Sequence, residues 1–254
     1  MSIFDFFLSK INIHNQQLNL KDERKAECPN CGQTLYKIPG AKTRCPHCGK
    51  FMFVRTRPKD NSRVVVTKEE ADKIDEEWSI VDGTHDIFIT KKEEFAEHRN
   101  KLKKQFGKEP LAGDIQWSIY SKRIIQYAQK GDWGLYRNNR FDMAEHLWRE
   151  KRFKHALITY LEVCFLDTNG PNNLSGINDP DILKAFPRFD PTVGSETASG
   201  VVDLIKIIAN KLNLTREKIK ELFIAYNSRV AQNLKTPLSA EESWLILEKK
   251  LFIL

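Results

Sequence analysis

Residues 28 to 49 read Cys-Pro-Asn-Cys-Gly-Gln-Thr-Leu-Tyr-Lys-Ile-Pro-Gly-Ala-Lys-Thr-Arg-Cys-Pro-His-Cys-Gly. Cys28 and Cys31, and again Cys45 and Cys48, are separated by two residues, and each pair is followed by a glycine, Gly32 or Gly49. Two intervening residues let both sulfurs of a pair face one ion, and glycine tolerates the positive φ that closes such a turn. Thirteen residues lie between Cys31 and Cys45, room for a short hairpin that brings the two pairs together as a tetrahedral four-cysteine site. Four thiolates leave no position for water, so the ion expected is a structural Zn2+ and not a catalytic one.

Over roughly residues 25 to 60 this paired motif resembles the zinc-ribbon family. The resemblance implies a small β module held by zinc and used for binding nucleic acid or protein. Two other fates of the cysteines stay open on spacing. One is a pair of disulfides, which the absence of a signal peptide and the odd total of five cysteines disfavour. The other is iron in a rubredoxin-like centre, which uses similar knuckles but a longer insert and an aromatic core. The fifth cysteine, Cys164, lies in the apolar run Tyr160-Leu161-Glu162-Val163-Cys164-Phe165-Leu166 and reads as a small core residue.

Working outward, the charge is concentrated around the cysteines. The 254 residues carry a formal net charge of +7. Residues 21 to 63 hold eleven Lys or Arg against four Asp or Glu, so the whole excess lies there, while residues 64 to 254 balance. Basic charge gathered on one small module is the footprint of phosphate contact; its plainer reading is solubility. The candidates for nucleic-acid contact, DNA or RNA alike, are Lys37, Lys42, Arg44, Lys50, Arg55 and Arg57. Residues 1 to 20, opening Met1-Ser2-Ile3-Phe4-Asp5-Phe6-Phe7-Leu8, have no cationic start and no cleavage site. The apolar segment Met1 to Leu8 is far too short to span a bilayer, so no transmembrane segment and a cytoplasmic location are expected.

Leu35-Tyr36-Lys37-Ile38 and Phe51-Met52-Phe53-Val54 are β-prone runs, one after each knuckle, and are expected to pair as antiparallel strands. Alternation places Phe51, Phe53, Arg55 and Arg57 on one face. Exposed, that face offers rings beside cations for single-stranded nucleic acid; otherwise Phe51 and Phe53 are the module's own core, the preferred reading for so small a domain.

Arg57-Pro58-Lys59-Asp60-Asn61-Ser62 reads as a linker, and after it the pattern turns helical. Thr67-Lys68-Glu69-Glu70, Thr90-Lys91-Lys92-Glu93 and Ser239-Ala240-Glu241-Glu242 have the form of capping boxes. Helices are expected near 68 to 78 and 91 to 106, with a hairpin between them around Asp82-Gly83 and Ile87-Phe88-Ile89. Six carboxylates between Glu69 and Glu77 either fold back on the basic module or form a solvated helix face. A further amphipathic run, from Ile115 to Tyr127, breaks at Gly131-Asp132-Trp133-Gly134.

From about Asn138 to Asp167 the chain resembles one tetratricopeptide (TPR) hairpin, with Met143, Ala144 and Leu147 on a first helix, Phe153 at the turn, and Ala156, Tyr160 and Val163 on a second. It departs from that family at Arg140, Lys151 and Thr168, and there is no second copy. Residues 168 to 200 are rich in Gly, Pro and Asn, and their aromatic–proline pairs predict that part of this insert packs. Helices are expected to return from Gly200 to Leu212, Thr215 to Asn233 and Ser239 to Lys250.

No phosphate-cradling glycine loop, Gly-x-Ser-x-Gly elbow or His-Glu-x-x-His pair occurs. Asp142, His146 and Glu150 share a helix face, read as a polar outer face, and His47 as a surface donor. The expected architecture is mainly α: a β zinc ribbon over 21 to 63, then a helical body over 64 to 254 with the loop-rich insert. The expected function is that of a non-catalytic adaptor or regulator whose ribbon contacts nucleic acid and whose helical body docks a protein partner. The alternatives are a module that binds only protein, and an accessory subunit or enzyme with a site near 168 to 200.

Overall fold

The computed structural model describes residues 27–172, 179–192 and 197–252. The apolar segment over 1 to 20 and two stretches of the 168 to 200 insert, 173–178 and 193–196, lie outside them. Among the described residues there are nine helices and one three-stranded sheet, so the chain is mainly α with a small β element near its N-terminus. The described residues up to Lys92 form one compact unit and those from Glu93 onward a second.

In the first unit, β1 (Thr43–Arg44), β2 (Phe51–Thr56) and β3 (Arg63–Val66) form an antiparallel sheet in that order. Arg44 pairs with Phe51 on one side, and Val66, Val65, Val64 and Arg63 pair with Phe53, Val54, Arg55 and Thr56 on the other. Two expectations need correction. Leu35–Ile38 forms no strand; only Thr34 makes an isolated bridge, to Glu27. Leu35 turns inward beside Cys28 and Cys45 while Tyr36 points fully into solvent, and Pro39 has no N–H to give a ladder. The supposed linker is instead the β2–β3 turn. Arg57 N–H donates to Ser62 O (3.0 Å) and Asn61 N–H to Arg57 O (2.9 Å), with Asn61 at φ 52°, a left-handed conformation that asparagine tolerates. The Val64-Val65-Val66 run that follows is the third strand.

Helix α1 (Lys68–Val81) starts at the capping box on Thr67, as its sequence predicts. It packs on β2. Arg55 donates both Nε and Nη2 to the Asp75 carboxylate (2.7 and 3.0 Å), and Trp78 Nε1 donates to Thr56 O (2.6 Å), so the acidic stretch does fold against the basic module. The hairpin expected around Ile87–Ile89 is absent. Gly83, at φ +68°, ends α1, and α2 (His85–Phe106) begins at once. Thr90 donates its hydroxyl to Asp86 O inside α2 and caps nothing. A β-prone triplet with no strand to pair with satisfies its backbone as helix.

The second unit is built around one helix. After α3 (Ala112–Lys130) and α4 (Trp133–Arg149) comes α5 (Phe153–Asn169), of which thirteen of seventeen residues are buried. A helix buried on all sides belongs at the centre of a bundle. Helices α4, α7 (Ser199–Lys211), α8 (Arg216–Leu234) and α9 (Ala240–Phe252) all pack on it. Ala144 and Ala156, both fully buried, sit in the core that α4 and α5 share, where small residues let two helices approach closely. Cys164 is fully buried and burial raises its thiol pKa, in keeping with its reading as a core residue. Arg140, where the TPR pattern has tryptophan, is engaged in an ion pair with Glu162.

His146 departs from its reading as part of a polar outer face. It is buried, with ring contacts to Trp117 and Tyr120, and its Nε2 lies 3.2 Å from Glu150 Oε1. The insert packs in part: a short α6 (Pro180–Ala185) is capped by Asp179, Pro171 bridges to Phe189, and Phe189 stacks on Trp133 at 5.0 Å.

Arg137 on α4 donates bidentately to Asp167 on α5 (2.6 and 2.8 Å), and the Asp167 side chain is 1% exposed. Replacing only one member strands a buried charge. Arg137→Met is therefore expected to lower stability by about 3–5 kcal/mol in denaturant titration, and the double change Arg137→Met with Asp167→Leu to recover most of the loss. A single variant as stable as wild type would refute the buried pair.

Candidate functional site

The two knuckles fold to the same pattern. In the first, Gly32 N–H donates to Cys28 O (2.8 Å), Cys28 N–H to Gln33 O (2.9 Å) and Asn30 N–H to Cys28 Sγ (3.4 Å). In the second, Gly49 N–H donates to Cys45 O (2.9 Å), Cys45 N–H to Lys50 O (2.9 Å) and His47 N–H to Cys45 Sγ (3.4 Å). Gly32 and Gly49 share φ +71°, the left-handed conformation that an L side chain adopts only under strain. His47 contributes its backbone N–H to this turn. The Asn30 amide ties the first knuckle to Phe51 O (3.1 Å).

These turns bring Cys28, Cys31, Cys45 and Cys48 together, all four sulfurs lying within 4.8 Å of one another. Cys28 Sγ is 3.9 Å from Cys48 Sγ, and Cys31 Sγ is 3.9 Å from Cys45 Sγ. Ligands about 2.3 Å from a tetrahedral ion stand about 3.8 Å apart, so the donor set fits a metal without rearrangement. A disulfide needs about 2.05 Å, and all five cysteines are free thiols, which removes the disulfide alternative.

The electrostatics agree. Burial raises the Cys28 pKa, but the Asn30 N–H and the neighbouring sulfurs of Cys45 and Cys31 more than offset it and bring it to about 6. Cys31 accepts a bond from Gln33, which lowers its pKa, yet burial and the crowding sulfurs push it up to about 12. One thiolate forms readily and opposes the next, so full ionisation of the set calls for a cation at its centre.

Sheet alternation separates this cluster from a second feature. Met52, 1% exposed, packs with Cys28, Leu35, Cys45 and Val65. Its neighbours Phe51 and Phe53 therefore point to the opposite face, and the expectation that they form the module's core is overturned. Phe51 is 43% exposed. Lys42 Nζ sits 4.5 Å from the Phe51 ring centroid and 5.1 Å from that of Phe53, and the Arg44 guanidinium sits 4.2 Å from Phe51. Arg44 also donates to Gly49 O (3.1 Å), an exposed bond that keeps it beside the ring.

The six basic candidates thus divide. Lys42 and Arg44 lie on the aromatic face, and Lys37 and Lys50 are exposed on the surrounding loops. Arg55 is held by Asp75 of α1, and Arg57 by Asp60 (2.7 Å) and Ser62 inside the β2–β3 turn. Sequence reasoning grouped all six because the carboxylate partners of Arg55 and Arg57 lie in a helix and a turn whose packing it did not foresee.

In the second unit, a cavity of about 670 Å3 lies at the end of the insert, lined by residues including Thr197, Asp203, Lys206, Lys249 and Lys250. No histidine or cysteine is among its lining residues. No helix is long and apolar enough to cross a membrane among the described residues. No protein-family model, curated protein or solved structure matches the chain.

A Cys45→Ser change leaves three thiolates and is expected to abolish retention of metal while keeping most of the far-UV helical signal, because most helices lie beyond Glu93. Elemental analysis that finds one metal ion per chain in the variant would refute a four-cysteine site.

Proposed function

We propose that this protein is a non-catalytic adaptor whose first unit is held by one structural Zn2+ at Cys28, Cys31, Cys45 and Cys48 and contacts nucleic acid through its basic face. The observation that carries the reading is the exposed Phe51 ring lying under Lys42 and Arg44, in the part of the chain where the whole positive excess is concentrated. Zinc is favoured over iron by the buried cluster around the sulfurs, which among the described residues holds Leu35, Met52 and Val65 and no aromatic side chain. A small sheet with so few buried side chains needs such an ion to hold its shape.

Lys37, Lys42, Arg44 and Lys50 are the proposed contacts, with Arg55 and Arg57 keeping the sheet, its turn and α1 in place. The helical unit is the proposed dock for a protein partner, a role supported by exposed apolar side chains on its outer helices, among them Ile207, Leu245 and Ile246. A reducing cytoplasm suits a site that needs four thiolates.

Binding of a labelled oligonucleotide by the full chain, followed by fluorescence anisotropy across a salt series, tests the reading. Affinity is expected to fall steeply with salt, and Lys42→Glu with Arg44→Glu to remove binding while zinc stays bound. Absence of any salt-dependent binding at micromolar protein would overturn nucleic-acid contact and leave the protein-only adaptor. Zinc stoichiometry near zero, or iron in its place, would overturn the structural zinc.

A further inference from the structure

Resting on that reading, we infer that the ligand is single-stranded, with one base stacked on Phe51 between phosphates held by Lys42 and Arg44. B-form DNA is read by a helix or a two-stranded ribbon laid into a groove, which requires a protruding rod with side chains reaching base edges. Here the cations stand over a ring on the sheet itself: Lys42 at 4.5 Å and Arg44 at 4.2 Å from the Phe51 centroid. A ring is useful only to a base whose own flat face is free, and in a duplex both faces of each internal base are already stacked.

The same stripe shows where the strand sits. Along β2 the side chains on this face are Phe51, Phe53 and Arg55 in turn. Arg55 is tied to Asp75 of α1, and Lys68 of α1 stands 6.0 Å from the Phe53 ring, so the helix closes that end. Phe51 is left at the open end, 43% exposed and next to Lys50, which is exposed. Arg44 is held by its bond to Gly49 O and so is already placed beside the ring. A cation over an exposed ring contributes only about 0.5–1 kcal/mol, so an incoming base displaces it easily and the cation moves to the adjacent phosphate. One platform of this size takes one base and its two flanking phosphates, and the chemistry is shared by DNA and RNA because stacking needs only the base.

The test compares the full-length zinc-loaded protein with four ligands of about 12 nucleotides, a length within the range such surfaces cover: oligo-dT, oligo-rU, a DNA duplex and an RNA duplex. Single strands of either sugar are expected to bind at least about tenfold more tightly than the duplexes. Phe51→Ala is expected to weaken single-strand binding about tenfold with an unchanged salt slope, and Phe51→Tyr to restore it. Lys42→Gln with Arg44→Gln is expected to lower the salt slope by roughly 1.4, at about 0.7 per phosphate on a single strand. Equal affinity for duplex and single strand, or a Phe51→Ala protein that retains zinc and binds as wild type, overturns the single-strand inference and leaves nucleic-acid contact standing. No binding to any of the four ligands overturns both.

Discussion

Helix α5 has almost no face it can leave in water, and the second unit is arranged to meet that constraint. Ala156, Leu157, Tyr160, Leu161, Cys164 and Phe165 cover one half of its circumference and Thr159, Glu162 and Leu166 the other, all of them buried, and four helices pack around it. Burying a large apolar side chain is worth about 1.5–3 kcal/mol, so any helix that failed to dock would expose several such contributions at once. The two buried carboxylates of α5 are both answered from α4, where Arg137 meets Asp167 and Arg140 meets Glu162. Such pairs add little net stability, but they penalise any slip of α4 along α5, because a shift of one turn leaves four charges unmatched.

The first unit solves a smaller version of the same problem by different means. Its buried cluster is Cys28, Leu35, Cys45 and Met52, far too little apolar surface to fix a sheet, and the remaining order comes from two turns whose backbone bonds repeat each other and from sulfurs set at ligand spacing. The one face given to the cysteines leaves the other to Phe51, Phe53 and the cations above them. Helix α1 then covers only part of that second face, through Asp75 and Trp78, which is why its two ends differ in character.

Much of this is legible in the sequence. The set of four cysteines follows from spacing, the starts of α1 and α9 from their capping boxes, and the α4–α5 pair from the placement of Ala144 and Ala156. What could not be read was which neighbour each face meets. Alternation puts Phe51 and Phe53 on one side of β2 and Met52 on the other, but periodicity is symmetric between the two, and only the position of the sulfurs decides that Met52 is the inward residue. Arg55 and Arg57 looked like free cations for the same reason: their partners, Asp75 and Asp60, are set by tertiary packing and by a turn. The third strand did carry a signal, the Val64-Val65-Val66 run, which was hidden by reading the preceding Pro58-Lys59-Asp60-Asn61 as a linker when it is a hairpin turn. His146 has the polar spacing of an outer face, and its burial against Trp117 and Tyr120 depends on α3, whose contact side the sequence does not distinguish.

Asn169, at the last residue of α5, is fully buried and uses its side chain three times: its amide N–H groups donate to Phe165 O and Ser243 Oγ, and its oxygen accepts from Leu238 N–H. It joins the end of α5 directly to the start of α9, across 74 residues of chain. Just beyond it, Asp190 N–H donates to Gly170 O (2.9 Å) and Pro171 bridges to Phe189, closing the base of the insert. The bundle's closure therefore does not run through the insert. A loop clasped at its base loses only about 0.6 kcal/mol for each doubling of its length, so this is the place where the chain can gain or lose residues, by evolution or by grafting a foreign peptide, while the helices around α5 keep their register.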